Sequence, residues 1–215
     1  TGRVQWRSGD RTAESDPDPD STPRQGPRPR EHRSDTLPWL DPAEALARLK
    51  APVARSSRSG ARPPIASVLT CLELAPGYVI GRTEGELYSV RVAGPVCGPD
   101  QLQQLESGVD EIATPLLVVL THTDCGVLRA LAEDRLDPSL SAQLAPALHH
   151  ALACDPELSP VGAAASKPAA EQLGWTVVAE LFRRSAPIRE RVSAGLLRVV
   201  VAVYTPANGE LEWLG

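Results

Sequence analysis

Residues 115 to 121, Pro-Leu-Leu-Val-Val-Leu-Thr, form a nearly continuous apolar run that ends on His122. A strand with one wet face alternates apolar and polar residues, and this one does not. Such a run belongs to a strand covered on both faces, the usual condition of a parallel sheet flanked by helices. Two further segments have the same character: Ile65 to Thr70 (IASVLT), ending at Cys71, and Leu196 to Thr205 (LLRVVVAVYT). A shorter strand is expected over Glu86 to Val92. The segments between them carry helical spacing. Pro99 to Ala113 places Leu102, Leu105, Val109 and Ile112 on one face, and helices are expected around 125–133, 138–153 and 168–194. Strands alternating with helices define an α/β domain with a mainly parallel sheet. Pro206-Ala207-Asn208-Gly209 reads as a turn into Glu210 to Leu214, which adds an antiparallel edge hairpin at the carboxyl end.

The domain is expected to span residues 37–215. Its first element is a helix from Asp41 to about Lys50, with Asp41 as cap, Pro42 in the first turn and Glu44 placed to close a capping box. Residues 51 to 64 form a Ser/Arg/Pro-rich connection. Residues 1–36 hold five prolines, seven arginines and seven acidic residues, with only Val4, Trp6 and Ala13 as apolar side chains. That composition cannot offset chain entropy by burial, so the segment is expected to be a disordered tail whose partner is unknown.

The formal net charge of −5 and the lack of a Lys/Arg block argue against nucleic acid as a partner. No apolar run reaches the roughly 20 residues of a membrane span, and no signal peptide is visible. The chain begins at Thr1 and has no Met. A soluble protein is expected, either cytoplasmic or exported after removal of a leader. The four cysteines, at 71, 97, 125 and 154, are too few and too scattered for a disulfide framework.

Ligands of open α/β sheets gather beyond the carboxyl ends of the strands. There, one strand ends in Cys71 and another in His122, with Cys125 three residues further on at the start of a helix. Two thiolates and an imidazole suit Zn2+, and three protein ligands leave a fourth position open, as catalytic zinc sites require. On spacing alone, two core cysteines and a polar histidine explain the pattern equally well.

The surrounding residues favour the metal. Thr121-His122-Thr123-Asp124-Cys125-Gly126, preceded by PLLVVL, resembles the His-x-x-Cys-Gly signature of the β-class carbonic anhydrases. Gly85-Glu86-Leu87-Tyr88-Ser89-Val90-Arg91-Val92-Ala93-Gly94 is similar to that family's G-D-L-F-x-x-R-N-A-G segment. LDPAEALARLK and LLRVVVAVYTPANGELEWLG resemble its first helix and last hairpin, so the likeness runs in order from about residue 38 to 215. The resemblance implies zinc held by Cys71, His122 and Cys125, reversible hydration of carbon dioxide to bicarbonate, and a homodimer or higher homo-oligomer.

The departures fall at the chemical centre. The family's Cys-x-Asp-x-Arg motif reads Cys71-Leu72-Glu73-Leu74-Ala75, and the loop to Gly85 is about two residues short. The family's Gln in this loop is replaced by Arg82, and the polar Asn positions by Val92 and Pro95. Two thiolates already neutralise the cation, so such a site acidifies water less than three imidazoles would, and an oriented acceptor becomes important. The resemblance implies that the family's Asp, held by its Arg, fills that role and can also occupy the fourth zinc position. Glu73 is the substitute here, as the one catalytic candidate. It either ligates zinc and closes the site, points to solvent, or accepts a hydrogen bond from the attacking water with Arg82 or Arg91 as its partner. Asp124 either supports the site from behind the ligands or stabilises the start of its helix.

His149-His150 is expected to be a surface pair with one ring outward. Cys97 and Cys154 are expected to be structural or free thiols, and Trp39, Trp175, Phe182 and Trp213 to be packing anchors. Two functions follow: a carbonic anhydrase with weakened activity, or a catalytically inactive, zinc-stabilised homologue serving as a structural or interaction subunit. Hydrolysis of a small relative of carbon dioxide at the same metal is a third, for which nothing in the sequence speaks.

Overall fold

The structure, a computed structural model, describes residues 38–51, 63–83 and 85–215. The tail assigned to residues 1–36 and most of the connection over 51–64 lie outside the described residues.

The chain runs α1 (Pro42–Lys50), β1 (Ala66–Cys71), α2 (Pro76–Ile80), β2 (Leu87–Val92), α3 (Pro99–Asp110), β3 (Leu116–His122), α4 (Gly126–Ala132), α5 (Pro138–Cys154), α6 (Pro160–Ala165), α7 (Lys167–Arg184), α8 (Ala186–Ser193), β4 (Arg198–Thr205) and β5 (Glu210–Leu214). The strands form one sheet in the order β2-β1-β3-β4-β5. The first four are mutually parallel, and β5 pairs antiparallel with β4, as the sequence indicates.

The unbroken apolar run of β3 has a direct explanation. Leu117 and Val119 face a core shared with Leu105 of α3, Leu144 of α5, Leu173 of α7 and Ile188 of α8. Leu116, Val118 and Leu120 face the opposite core, with Leu46 and Leu49 of α1 and Ile80 of α2. All seven β3 residues are buried. Each such leucine or valine contributes about 1.5–3 kcal/mol relative to exposure, so the central strand is fixed in register by both faces at once.

Capping sets the helix boundaries. Asp41 accepts from the backbone N–H groups of Ala43 (2.8 Å) and Glu44 (3.2 Å), which starts α1 where the sequence places it. Three expectations need correction. The stretch 168–194 is two helices: Ser185 ends α7, and its hydroxyl accepts from Ile188 N to start α8 (3.2 Å), with Pro187 supplying no N–H to a continuous helix. Helix α6 lies in a region left without an element; Ser159 caps it, and Ser166 both ends it and caps α7. Helix α2 is a single short turn inside the loop after Cys71, begun by Pro76 and ended at Gly81 with φ 72°.

Helix α7 lies close on the sheet. A Cβ at Gly174 would stand 2.4 Å from Cγ1 of Val201 on β4. Valine in a strand is stiff at χ1, so it yields poorly. Gly174→Ala is therefore expected to lose about 1–2 kcal/mol in chemical denaturation, overpacking exceeding a helix-propensity gain of about 1 kcal/mol. An unchanged midpoint would show that α7 does not bear on β4 as described.

Candidate metal centre

Parallel register brings the carboxyl ends of β1 and β3 side by side, Thr70 opposite Leu120. Cys71 closes β1 and His122 closes β3. Past His122 the chain turns back sharply. Thr123 N donates to Tyr204 O (3.0 Å), Asp124 N donates to Ala165 O (3.0 Å), and Asp124 takes a left-handed φ of 56°. This bend carries Cys125, the N-cap of α4, round to face Cys71.

The Sγ atoms of Cys71 and Cys125 lie 3.9 Å apart. One ligand atom from each of Cys71, Glu73, His122 and Cys125 falls within 4.8 Å of all the others. Two sulfurs on a tetrahedral Zn2+ with bonds of about 2.3 Å would stand about 3.8 Å apart, so the spacing fits that ion without rearrangement.

The imidazole is prepared in the same sense. His122 Nδ1 lies 3.0 Å from Thr123 O, which fixes the tautomer with its proton on Nδ1. That leaves Nε2 with a free lone pair, buried and without a hydrogen-bond partner among the described residues. A buried unpaired nitrogen costs about 1–3 kcal/mol unless something binds it, and a cation between the two sulfurs would do so.

One sulfur of the pair is set up as a thiolate and the other as its hydrogen-bond donor. The Cys71 thiol is lowered well below its ordinary value, first by the hydrogen bond from Cys125, against burial, then by the neighbouring His122 imidazole and by the backbone N–H groups of Glu73 and Gly94. Cys125 is raised, because it donates that hydrogen bond and is buried, while backbone N–H groups of Leu128 and Val127 pull the other way. The two sulfurs thus share one proton, and a divalent cation can replace it.

Glu73 completes the set from the solvent side. Its Oε2 lies 3.5 Å from His122 Nε2 and accepts from Gly126 N at 3.1 Å. Cys71, His122 and Cys125 are 0%, 4% and 2% exposed, whereas the Glu73 side chain is 38% exposed, so its carboxylate is the cover of the site. Gly126 makes room for it: a Cβ there would stand 2.4 Å from Glu73 Oε1. Two sulfurs, one nitrogen and one carboxylate oxygen are donors of the kind that could hold a zinc ion.

The profile of the carbonic anhydrase family matches residues 66–211 of this chain. The chain belongs to the carbonic anhydrase family. Among curated relatives, a carbonic anhydrase of Mycolicibacterium smegmatis is 27% identical over 181 residues, covering 80% of this chain and 82% of its own. Among solved structures, the Coccomyxa β-carbonic anhydrase in complex with acetazolamide aligns with a TM-score of 0.60 at 21% identity, over 73% of this chain and 74% of its own. A chain from two tetrameric β-carbonic anhydrases of Sordaria macrospora aligns with a TM-score of 0.55 at 18% identity, over 72% and 82%. These structures establish the β-carbonic anhydrase fold, in a divergent member.

Within that fold the two arginines expected near Glu73 are placed elsewhere. Arg82 turns away from the centre: its Nη2 donates to the carbonyls of Arg48, Leu49 (3.0 Å) and Ala51 (3.0 Å), closing the carboxyl end of α1. The left-handed turn at Gly81, with Arg82 N donating to Gly77 O (2.7 Å), directs Arg82 back over α1. Arg91 donates through Nη2 to the carbonyl of Leu72 and not to a carboxylate. Asp124 pairs with Arg129 on the surface, so its carboxylate serves the start of α4 and does not back the ligands. The Glu73 carboxylate, though partly exposed, accepts from Gly126 N and lies over the donor cluster.

Both His149 and His150 are exposed, and His150 Nε2 stands 3.5 Å from Cys154 Sγ. All four cysteines are free thiols, Cys97 buried and Cys154 exposed. Burial pushes Cys97 up to about 11, leaving it neutral and unreactive. Trp175 is 45% exposed, so it is not the packing anchor expected of it. Two contributors were not singled out beforehand, Gly94 and Gly126. Both lie in segments whose family likeness was noted, yet a glycine's backbone N–H and missing Cβ leave no chemical mark in sequence.

Proposed function

We propose that this chain binds one zinc ion through Cys71, His122 and Cys125, with Glu73 Oε2 as the fourth ligand at rest, and that it catalyses reversible hydration of carbon dioxide to bicarbonate at a reduced rate. The observation that carries this reading is the convergence of the four donor atoms around the unpartnered His122 Nε2. When bound, zinc supplies a Lewis acid that makes water acidic enough to attack carbon dioxide near neutral pH.

The residues around the metal divide the remaining work. Cys71 and Cys125 hold it with sulfurs anchored by backbone N–H groups, and His122 holds it with the tautomer set by Thr123 O. With zinc held there, Glu73 would have to move aside to admit water, and its carboxylate would then be placed to accept a hydrogen bond from that water. In the family, as the resemblance implies, an arginine draws the equivalent acid away. Here that position is Ala75, and Arg82 and Arg91 are bonded to main-chain carbonyls. The closed state is therefore favoured, which lowers the rate. The same closure supports a second reading, a zinc-stabilised subunit with no turnover.

Gly126→Ala separates the two. The added Cβ meets only the flexible end of Glu73, so stability should change by less than about 1 kcal/mol while the carboxylate is expelled. Metal analysis should find one zinc per chain in both proteins. Stopped-flow hydration between about pH 7 and about pH 9 should be slow in the parent and several-fold faster in the variant. Bound zinc with no hydration in either protein would leave the non-catalytic subunit. Absence of zinc would remove both readings.

Assembly belongs to the same proposal. The related Sordaria macrospora enzymes are described as tetrameric. Leu72 and Tyr78, 50% and 84% exposed beside the Glu73 turn, are apolar surface suited to burial against a second copy, giving a homodimer or larger homo-oligomer. No described helix is long and apolar enough to cross a membrane.

A further inference from the structure

We infer that Arg91 is a positioning residue for the metal centre, acting on it through the Leu72–Glu73 peptide; the inference rests on the zinc reading above. Arg91 lies on β2 opposite Thr70, one residue short of the register position of Cys71. Its guanidinium reaches over the end of β1 and donates to the carbonyl of Leu72. Leu72 N donates to Val92 O (2.8 Å), and Leu74 N closes a four-residue turn on Cys71 O (3.1 Å).

The Leu72 carbonyl and the Glu73 N–H belong to one planar trans peptide, so they point in opposite directions. The carbonyl is held by Arg91, and the N–H, on the opposite side of the peptide, is one of the backbone groups that lower the Cys71 thiol. Fixing one end fixes the other. The central peptide of a four-residue turn is the unit that reverses between the two common turn types. Reversal here would aim an oxygen at the Cys71 sulfur and swing the Glu73 side chain off Gly126. A cation on the carbonyl opposes that reversal and polarises the peptide toward the thiolate. Glu73 lacks an arginine on its carboxylate, but it has one on the peptide that carries it.

Arg91→Ala and Arg91→Lys test this, because the side chain is exposed and its removal opens no cavity. In the zinc-free chain, amide hydrogen exchange at Glu73 should quicken about tenfold in Arg91→Ala, with the melting temperature unchanged. In the loaded protein, chelator competition should show zinc held about five- to tenfold more weakly, and the sulfur-to-metal band of the cobalt-substituted form should shift. Arg91→Lys, which keeps one donor and the charge, should recover part of each change.

Unchanged exchange at Glu73 would overturn the inference whatever zinc does. Faster exchange spread over β1 and β2 with a matching fall in melting temperature would also overturn it, since Arg91 would then serve the sheet alone. If the parent bound no zinc but Arg91→Ala still released the Glu73 amide, the zinc reading would fall and the hold of Arg91 on the turn would stand.

Discussion

Cys71→Ser, Cys125→Ser and His122→Ala are each expected to cost the protein its tightly bound zinc. Each change removes a donor from a buried set whose other members were arranged for a metal. Structural zinc sites with such donors are worth about 10–16 kcal/mol in apparent binding free energy, so losing one of the protein ligands should weaken affinity by at least about a thousandfold. Chelator competition measures this directly. Because zinc stabilises only the folded chain, the melting temperature of the variants should match that of the metal-free parent. Cys97→Ser is the control: Cys97 is buried outside the donor cluster, so zinc content should stay at one per chain. Retention of parental affinity in any of the three ligand variants would remove that residue from the site.

Glu73→Ala is expected to do the opposite to activity. The carboxylate covers the site, bonded to Gly126 N and 3.5 Å from His122 Nε2, so deleting it opens the fourth position. Zinc affinity should fall by only about tenfold, since three protein ligands remain. Carbon dioxide hydration should rise several-fold, and the spectrum of the cobalt-substituted protein should become sensitive to added azide, which the parent should resist. Loss of hydration in place of a rise would mean that Glu73 chiefly accepts from the attacking water. Comparison with Gly126→Ala is informative, because that variant moves the carboxylate without removing it.

The scaffold was legible because its signals are physical and local. Unbroken apolar runs mark β3 and β1 as covered on both faces, and the turn at Pro206 to Gly209 marks the β4–β5 hairpin. Asp41 announces α1. What sequence concealed were interruptions in otherwise helical stretches. Ser159, Ser166 and Ser185 each act as a cap followed closely by a proline, a pattern visible in principle but masked by the apolar spacing around it.

At the site, the three donor residues that the structure brings together were legible because cysteine and histidine at strand ends are few. The arrangement around them was not. Arg82 and Arg91 had the right charge to meet Glu73, but the turn at Gly81 sends one to α1, and the other lies above a main-chain carbonyl. Charge type is written in sequence; the direction of a long side chain is not. The seat of Glu73 depends on an atom that Gly126 lacks, which only a three-dimensional clash reveals.

The most direct test of the account is a crystal structure of the zinc-loaded protein with anomalous scattering recorded at the zinc edge. A single peak bound by Cys71 Sγ, Cys125 Sγ, His122 Nε2 and a carboxylate oxygen of Glu73 is the expected result. Zinc on the first three with water in the fourth position and Glu73 turned to solvent would contradict closure by Glu73, and a peak elsewhere would contradict the site itself.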